Sequence, residues 1–380
     1  MKLRDICLIQ SGGTPSRSKK EYWKDGDIPW VKISDFSGKF LKTTEEQITE
    51  QGLDCSSAKL FAKGTILYTI FATLGEVYIL DIEAATNQAI AGISIIDDAV
   101  DRNYLYYFLA SLKEQVNSIG RGVAQNNINL SILRDIEIPL PNRSTQEQFA
   151  YNLGRIDEII ALCKQQLKEA DKLVKSRFIE MFGDPMHNEK GWPFAVLTDV
   201  CSSIFGGGTP SKSHLEYFTG DIPWVSPKDM KASIVSDSMD HITHEAIEHS
   251  TTNLVPANSV LMVIRSGILK HTLPVAINSV PVTINQDIKA FVPNEKITSS
   301  FMMHFFKAIE TDVLAVVRSV TADNIDFKAF QQRKIILPPL ELQQQFTVFV
   351  QATDKSKLTI QKSLNELEIL KKSLMQQYFG

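Results

Sequence analysis

The 380 residues carry 40 lysines and arginines against 44 aspartates and glutamates, a formal net charge of −4, and 43% of them are hydrophobic. That content supports real cores and excludes a disordered tail protein, and no run approaches the ~18 apolar residues of a membrane span. The opening MKLRDICLIQ lacks the apolar stretch of an export signal, and the four cysteines (Cys7, Cys55, Cys163, Cys201) form no CxxC pair. A reducing, cytoplasmic location is therefore expected, with no disulfide framework and no cysteine-rich zinc site. Net acidity does not exclude nucleic acid as a partner, because a local basic face can act while the rest of the chain is acidic.

Residues 1–142 read as a mixed α/β domain. Short β-rich runs, Gly64–Ile70 (GTILYTI) and Glu76–Leu80, sit between turn-forming residues, and a helix is predicted near Asn103–Ser118. Residues 143–184 change character. From Ser144 to Gly183 there is no proline, and Ser144 with Glu147 forms a candidate capping box after the IPLPN turn. Apolar residues Phe149, Leu153, Ile156, Ile160, Cys163, Leu167, Ala170 and Val174 alternate in steps of four and three, a heptad seam. Residues 185–338 return to mixed α/β character, with a strand at Val260–Ile264 and a helix near Ser299–Val316. Residues 339–380 form a second long helix with Phe346, Val350, Thr353, Ile360, Leu364, Leu367 and Leu374 on its seam. Lys357 and Lys371 interrupt that seam, their aliphatic stems expected to lie along it with the charge reaching water. A helix of ~37 residues is ~55 Å long. The two are expected to pair antiparallel as a rod; the alternative is that each packs on its own domain.

The chain is a tandem duplication. LRDICLIQSGGTPSRSKKEYWKDGDIPWVKISDF at 3–36 recurs as LTDVCSSIFGGGTPSKSHLEYFTGDIPWVSPKDM at 197–230. Asn87-Gln88, Asn127-Ile128, Gln148-Phe149 and Phe182-Gly183 recur as Asn285-Gln286, Asn324-Ile325, Gln345-Phe346 and Phe379-Gly380. The period is about half the chain, far longer than a solenoid repeat, so two similar units with pseudo-twofold potential are expected. Residues shared by both copies are scaffold candidates; residues that differ are candidates for what distinguishes the halves.

Patterns that carry catalytic or ligand chemistry are scarce in this sequence. There is no GxxxxGK[ST] loop and no GxSxG elbow. The FGGG at 205–208 is better explained as a turn needed twice, since the first copy has SGG there. His244 to His249 resembles HExxH but is one residue too long to place both histidines on one helical face. No DPPY- or NPPY-like methyltransferase loop occurs. The chain reads as a binding and organising protein.

The ordered motifs SGGTPSxS, EYW, GDIPWVKISD, a GTxL strand, an NQ turn, GVAQNNINLSIL and IPLPxxxxQEQF opening a long helix, closed by FIEMFGDP, resemble the specificity subunit of type I restriction–modification systems. The similarity covers essentially the whole chain, twice over. The resemblance implies an α+β fold: two mixed α/β target-recognition domains separated by two long antiparallel coiled-coil helices. It also implies that each domain reads one half of a split double-stranded DNA target. The helices would act as a spacer on which methyltransferase subunits dock, with restriction subunits joining the complex. No catalytic site is implied in this chain, nor any cofactor of its own: S-adenosylmethionine, ATP and Mg belong to the partner subunits. Some members carry a helical segment before the first domain; here the order domain, helix, domain, helix is expected to supply both strands of the rod.

Within that reading, phosphate contacts position and base-edge contacts specify. Met1 to Lys42 holds nine cationic residues and five acids, locally +4. Ser16, Arg17, Ser18, Lys19 and Lys20 are candidates for gripping phosphates, as are Ser211, Lys212, Ser213 and His214 in the second copy; the alternative is a solvated charged turn. Lys32 and Lys228 follow the repeated DIPWV, whose Trp30 and Trp224 read as core aromatics. Arg121, Gln125, Asn126 and Asn127, and Arg318, Thr321 and Asn324 in the counterpart of that loop, carry side chains suited to base edges; for Asn127 and Asn324 the favoured alternative is a helix cap or turn former. Arg265 and Ser266 stand where the first copy has Phe71 and Ala72, and Arg265 suits guanine. Two rivals remain: a self-contained methyltransferase or nuclease, and a structural adaptor without DNA affinity.

Overall fold

A computed structural model describes all residues except 121–127 and 319–323, and only the backbone of 118–120 and 318. The chain forms two compact units, Met1–Lys164 with Lys362–Gly380, and Gln165–Gln361. Each contains one mixed α/β lobe, the start of one long helix and the end of the other.

In the first unit a five-stranded sheet runs Cys7–Ser11, Ile90–Ile95, Ile66–Thr69, Val77–Leu80, Phe40–Leu41. Its centre is antiparallel, with Ile66 opposite Ile79 and Ile93. The GTILYTI run is buried on both faces, as an uninterrupted apolar strand requires. Ile66 and Tyr68 face a core shared with Tyr104, Leu105 and Phe108 of the helix Arg102–Ser111. Leu67 points the other way, into a core with Val31, Phe61 and Ile90. The second sheet, Glu46–Ile48, Ile28–Val31, Ala84–Thr86 and Leu60–Phe61, closes that side. Gly92 makes the approach possible: a Cβ there would lie 2.2 Å from the Phe61 ring.

The second unit repeats this plan. Its five-stranded sheet runs Cys201–Gly206, Ile288–Pro293, Val260–Val263, Val275–Asn278, Ile234–Val235, and its smaller sheet centres on Ile222–Val225. Both predicted lobe helices are broken, and at corresponding places. Arg102–Ser111 and Lys113–Gly120 meet at Leu112, and Ser299–Ala308 and Glu310–Arg318 meet at Ile309. The break turns Val116 in one unit, and Val313 and Val317 in the other, into the core.

The long helices are Arg143–Phe182 and Leu340–Phe379. Asn142 caps the first, accepting the Thr145 N–H at 2.9 Å, while Glu147 pairs with Arg143; Ser144 and Glu147 do not form the expected capping box. Inside each unit the helix segments run antiparallel. In the first, Phe149 stacks on Tyr378 with centroids 3.7 Å apart, and Asp157 meets Lys371 at 2.6 Å. In the second, Asp171 meets Lys357 at 2.6 Å, and Phe178 and Phe182 each lie 5.5 Å from Phe346. Leu153, Ile156, Val174, Phe346, Val350 and Leu364 are buried on the seam; Phe149, Ile160, Leu167, Ile360, Leu367 and Leu374 are half-buried. The seam lysines do more than lay their stems along it: each ammonium meets an aspartate of the facing segment.

A buried glutamine joins each lobe to the helix that leaves it. Gln146 accepts the Asp101 N–H at 2.9 Å and donates to the carbonyls of Ala99 and Pro141. Gln343 does the same with the Thr298 N–H, Lys296 and Pro338. Asp101 and Thr298 are the N-caps of the lobe helices, so one amide side chain fixes the start of two helices.

Candidate nucleic-acid interface

The repeated motifs GGTPS, DIPWV and NQ converge in each lobe. The Trp30 indole N–H donates to the Gly13 carbonyl at 3.0 Å, and Trp224 to Gly208 at 3.0 Å. The Asn87 N–H bonds the Val31 carbonyl, and Asn285 that of Val225. Thr14 donates to Gln88 and Thr209 to Gln286. The glycines are steric necessities: a Cβ on Gly12 would lie 2.2 Å from the Thr86 carbonyl oxygen, and one on Gly207 1.7 Å from that of Asn285. These residues hold one another, and Trp30 and Trp224 are buried as expected. Cys7 and Cys201, the recurring thiols, are pushed up to about 12 by burial, so they stay protonated.

This scaffold presents an exposed rim. In the first unit it carries Ser16, Arg17, Ser18, Lys19 and Lys20, all exposed. Ser16 and Ser18 bond one another at 2.8 Å. Arg17 lies 3.6 Å from the centroid of the Trp23 ring and pairs with Glu46. Lys32 reaches Glu45 at 2.6 Å and Glu46 at 2.9 Å. These carboxylates raise the Lys32 pKa, and the Arg17 guanidinium, foremost, lowers that of Glu46. Lys19 donates to the Tyr22 hydroxyl, which raises its pKa. Much of the sequence-apparent basic charge is therefore matched by Glu45 and Glu46; Lys20 is exposed without an ion pair among the described residues.

The second rim carries Ser211, Lys212, Ser213 and His214, also exposed. Ser211 and Ser213 bond at 2.7 Å, repeating Ser16 and Ser18. His214 stacks on Tyr217, the position at which Lys19 lies over Tyr22. Arg265 joins this rim: its Nε donates to Asp287 at 2.7 Å, next to the NQ turn, and its backbone bridges Asn324. Ser266 caps the following short turn, Gly267–Lys270. Lys228 is exposed after Pro227, on a surface with Lys231 and Ile268.

Arg121, Gln125, Asn126, Asn127 and Thr321, with the Arg318 side chain, lie outside the described residues. Among the described residues that follow them, the Ile128 N–H donates to the Ile70 carbonyl and the Ile325 N–H to that of Ile264. The caps of the helices that follow are Asn129 and Asp326, so Asn324 is not a cap. Sequence reasoning missed Glu46 and Asp287 as partners of the rim cations; no local pattern marks such long-range pairs. His244–Glu248 is a short helix capped by Thr243, repeating Thr49 before Glu50–Asp54. Among the described residues no cluster of three His, Cys, Asp or Glu could hold a metal ion, and no helix is long and apolar enough to cross a membrane.

The comparisons with known proteins agree with this duplicated design. The family described as type I restriction modification DNA specificity domain matches residues 1–172 and again 189–369. The Escherichia coli type I restriction enzyme EcoR124I/EcoR124II specificity subunit is 31% identical over 317 residues, covering 81% of this chain and 77% of that protein. The MjaIX specificity subunit of Methanocaldococcus jannaschii is 27% identical over 399 residues, covering 98% and 90%. The fold is shared with the S subunit of the M. genitalium type I restriction–modification system, at a TM-score of 0.61 with 16% identity over 100% of this chain and 95% of that one. A chain from a structural study of complex assembly and conformational transition in the type I R-M system also gives 0.61, with 18% identity over 100% and 96%. With a matching domain in each half and the same lobe built twice, the chain belongs to the type I restriction–modification DNA specificity family.

Proposed function

We propose that this chain is the DNA-reading, non-catalytic subunit of a type I restriction–modification complex. Each lobe reads one half of a split double-stranded DNA target, and the two half-sites differ. The observation that carries the reading is the division of labour within each lobe. Residues common to both copies interlock beneath the rim, whereas the rims carry different exposed side chains: Arg17 against Lys212, Lys19 against His214, Phe71 against Arg265. Duplication keeps the frame and frees the rim to diverge, which suits two readers of different sequence.

The long helices set the separation of the half-sites and offer surfaces on which methyltransferase subunits dock; restriction subunits join that assembly. Methyl transfer with S-adenosylmethionine, and the ATP and Mg chemistry of cleavage, belong to those partners. Candidate phosphate contacts are Ser16, Ser18, Lys19, Lys20, Ser211, Lys212, Ser213, His214 and Lys228. Arg17 and Lys32 join them by exchanging Glu45 and Glu46 for phosphate. The base-reading candidates are Arg265, Ser266 and Asn324, with Arg121, Gln125, Asn126, Asn127, Arg318 and Thr321 on the flanking loops.

The test is a gel-shift series across salt concentrations, with and without a methyltransferase subunit. Specific binding that weakens steeply with salt supports the reading. Methyl transfer by the purified chain alone would favour the enzyme rival, and absence of DNA affinity in both states the adaptor rival. Lengthening both helices by matched heptads is expected to widen the gap between half-sites and leave each half-site sequence unchanged; an unchanged gap would refute the spacer role.

A further inference from the structure

The two rims differ in a correlated way beside the NQ turn. The second unit has Arg265 after the central strand and Asp287 closing the turn; the first has Phe71 and Ala89 at the corresponding places. Arg265 and Asp287 touch, with Nε donating to Oδ1 at 2.7 Å. The other carboxylate oxygen of Asp287 accepts the Asn285 side-chain amide at 3.1 Å, and the Asp287 N–H donates to Asn285 Oδ1 at 3.0 Å. Asn285 is buried and belongs to the repeated frame, so the guanidinium is held by a relay that starts in the scaffold. In the first unit Asn87 keeps the same turn bond, to the Ala89 N–H at 3.0 Å, and the carboxylate is missing.

An arginine–aspartate pair with the arginine 57% exposed adds little stability, so the relay needs another purpose. It grips only the Nε edge, and no described residue pairs with the terminal nitrogens. A guanidinium fixed at Nε, with no described partner at its terminal nitrogens, presents the fork that matches O6 and N7 of guanine. Phe71, 48% exposed on the other rim, presents an apolar edge of the kind that meets a thymine methyl. Both residues stand next to the strand ends, Ile70 and Ile264, whose carbonyls accept the Ile128 and Ile325 N–H groups.

We propose that Arg265, positioned by Asp287, selects a guanine in the half-site read by the second lobe, and that Phe71 selects a thymine at the corresponding place in the other half-site. This rests on the reading of each lobe as a DNA reader.

The test uses the full chain in complex with its methyltransferase subunit. The methylated motif is mapped first, and binding is then measured against duplexes with single base changes. Arg265→Lys is expected to lose about tenfold or more of the guanine preference at one position and to leave the other half-site intact. Asp287→Ala should relax the same position while strengthening binding to unrelated DNA, because an acid is removed from the rim. A merely structural role for Asp287 would weaken all duplexes alike and would overturn the positioning role. Phe71→Ala should relax one position in the other half-site only. Unchanged preference in Arg265→Lys and Asp287→Ala would overturn the proposal. A wild-type complex that discriminates between no duplexes would overturn the recognition reading itself, and the proposal with it.

Discussion

The two lobes agree inside and differ outside. Trp30 and Trp224 make the same bond to the same glycine carbonyl, and Gln146 and Gln343 repeat the same three-bond junction. Their rims differ: Arg17 is paired with Glu46 and stacked on Trp23, whereas Lys212, at the corresponding place, is exposed with no ion pair among the described residues. An interior of interlocked backbone and amide groups tolerates little change, because each lost partner leaves a buried group unsatisfied. A rim of hydroxyls, amides and cations has no such constraint. Duplication followed by divergence therefore leaves a shared frame and two different rims.

The comparison can be broken most severely at the frame. Gly207→Val places side-chain atoms onto the Asn285 backbone, and a loss of more than about 3 kcal/mol is expected for the second lobe, read by urea unfolding; wild-type stability would show that the loop can move aside. Gln343→Ala strips the Thr298 N–H and two carbonyls of their partner, for about 3 kcal/mol in the same measurement.

A third change separates the lobes by acid. His304 of the second lobe corresponds to Tyr107 of the first. Burial, foremost, pushes His304 down to about 4, so the folded state holds it neutral while the unfolded chain takes up a proton near 6.5. Its contribution is complete above pH 6.5 and is lost as pH falls from there toward 4, a decline on the order of 3 kcal/mol. Tyr107, its pKa raised by burial, has no such window. His304→Phe should abolish the decline in a pH series of unfolding curves; a decline that persists would place its origin elsewhere. The smallest effect is expected at the seam. Lys371→Met removes the partner of Asp157, both about one-third exposed, and should shift stability by about 1 kcal/mol or less.

Much of this architecture was legible in the sequence. The repeat, the heptad seam and the proline-free segments located both lobes and both helices, because duplication and helical periodicity are written locally. The capping was misread: Asn142, one residue before the helix, outcompetes Ser144 for the free N–H groups. The helix breaks at Leu112 and Ile309 escaped notice since no glycine or proline marks them. At the candidate site, cations were visible and their partners were not. Glu46 is 29 residues from Arg17 and Asp287 is 22 from Arg265, distances that only the folded sheets close. Nothing in the local sequence marks Gln146 and Gln343 as buried; their burial follows from the lobe packing over them.

The most direct test of the central claim exchanges residues 1–142 for the corresponding domain of another family member and maps methylated bases in cells that also carry the methyltransferase subunit. A split motif is predicted in which one half changes while the other half and the gap stay as they were. A change in both halves, or an undivided motif, would contradict the account of two independent readers on a common frame.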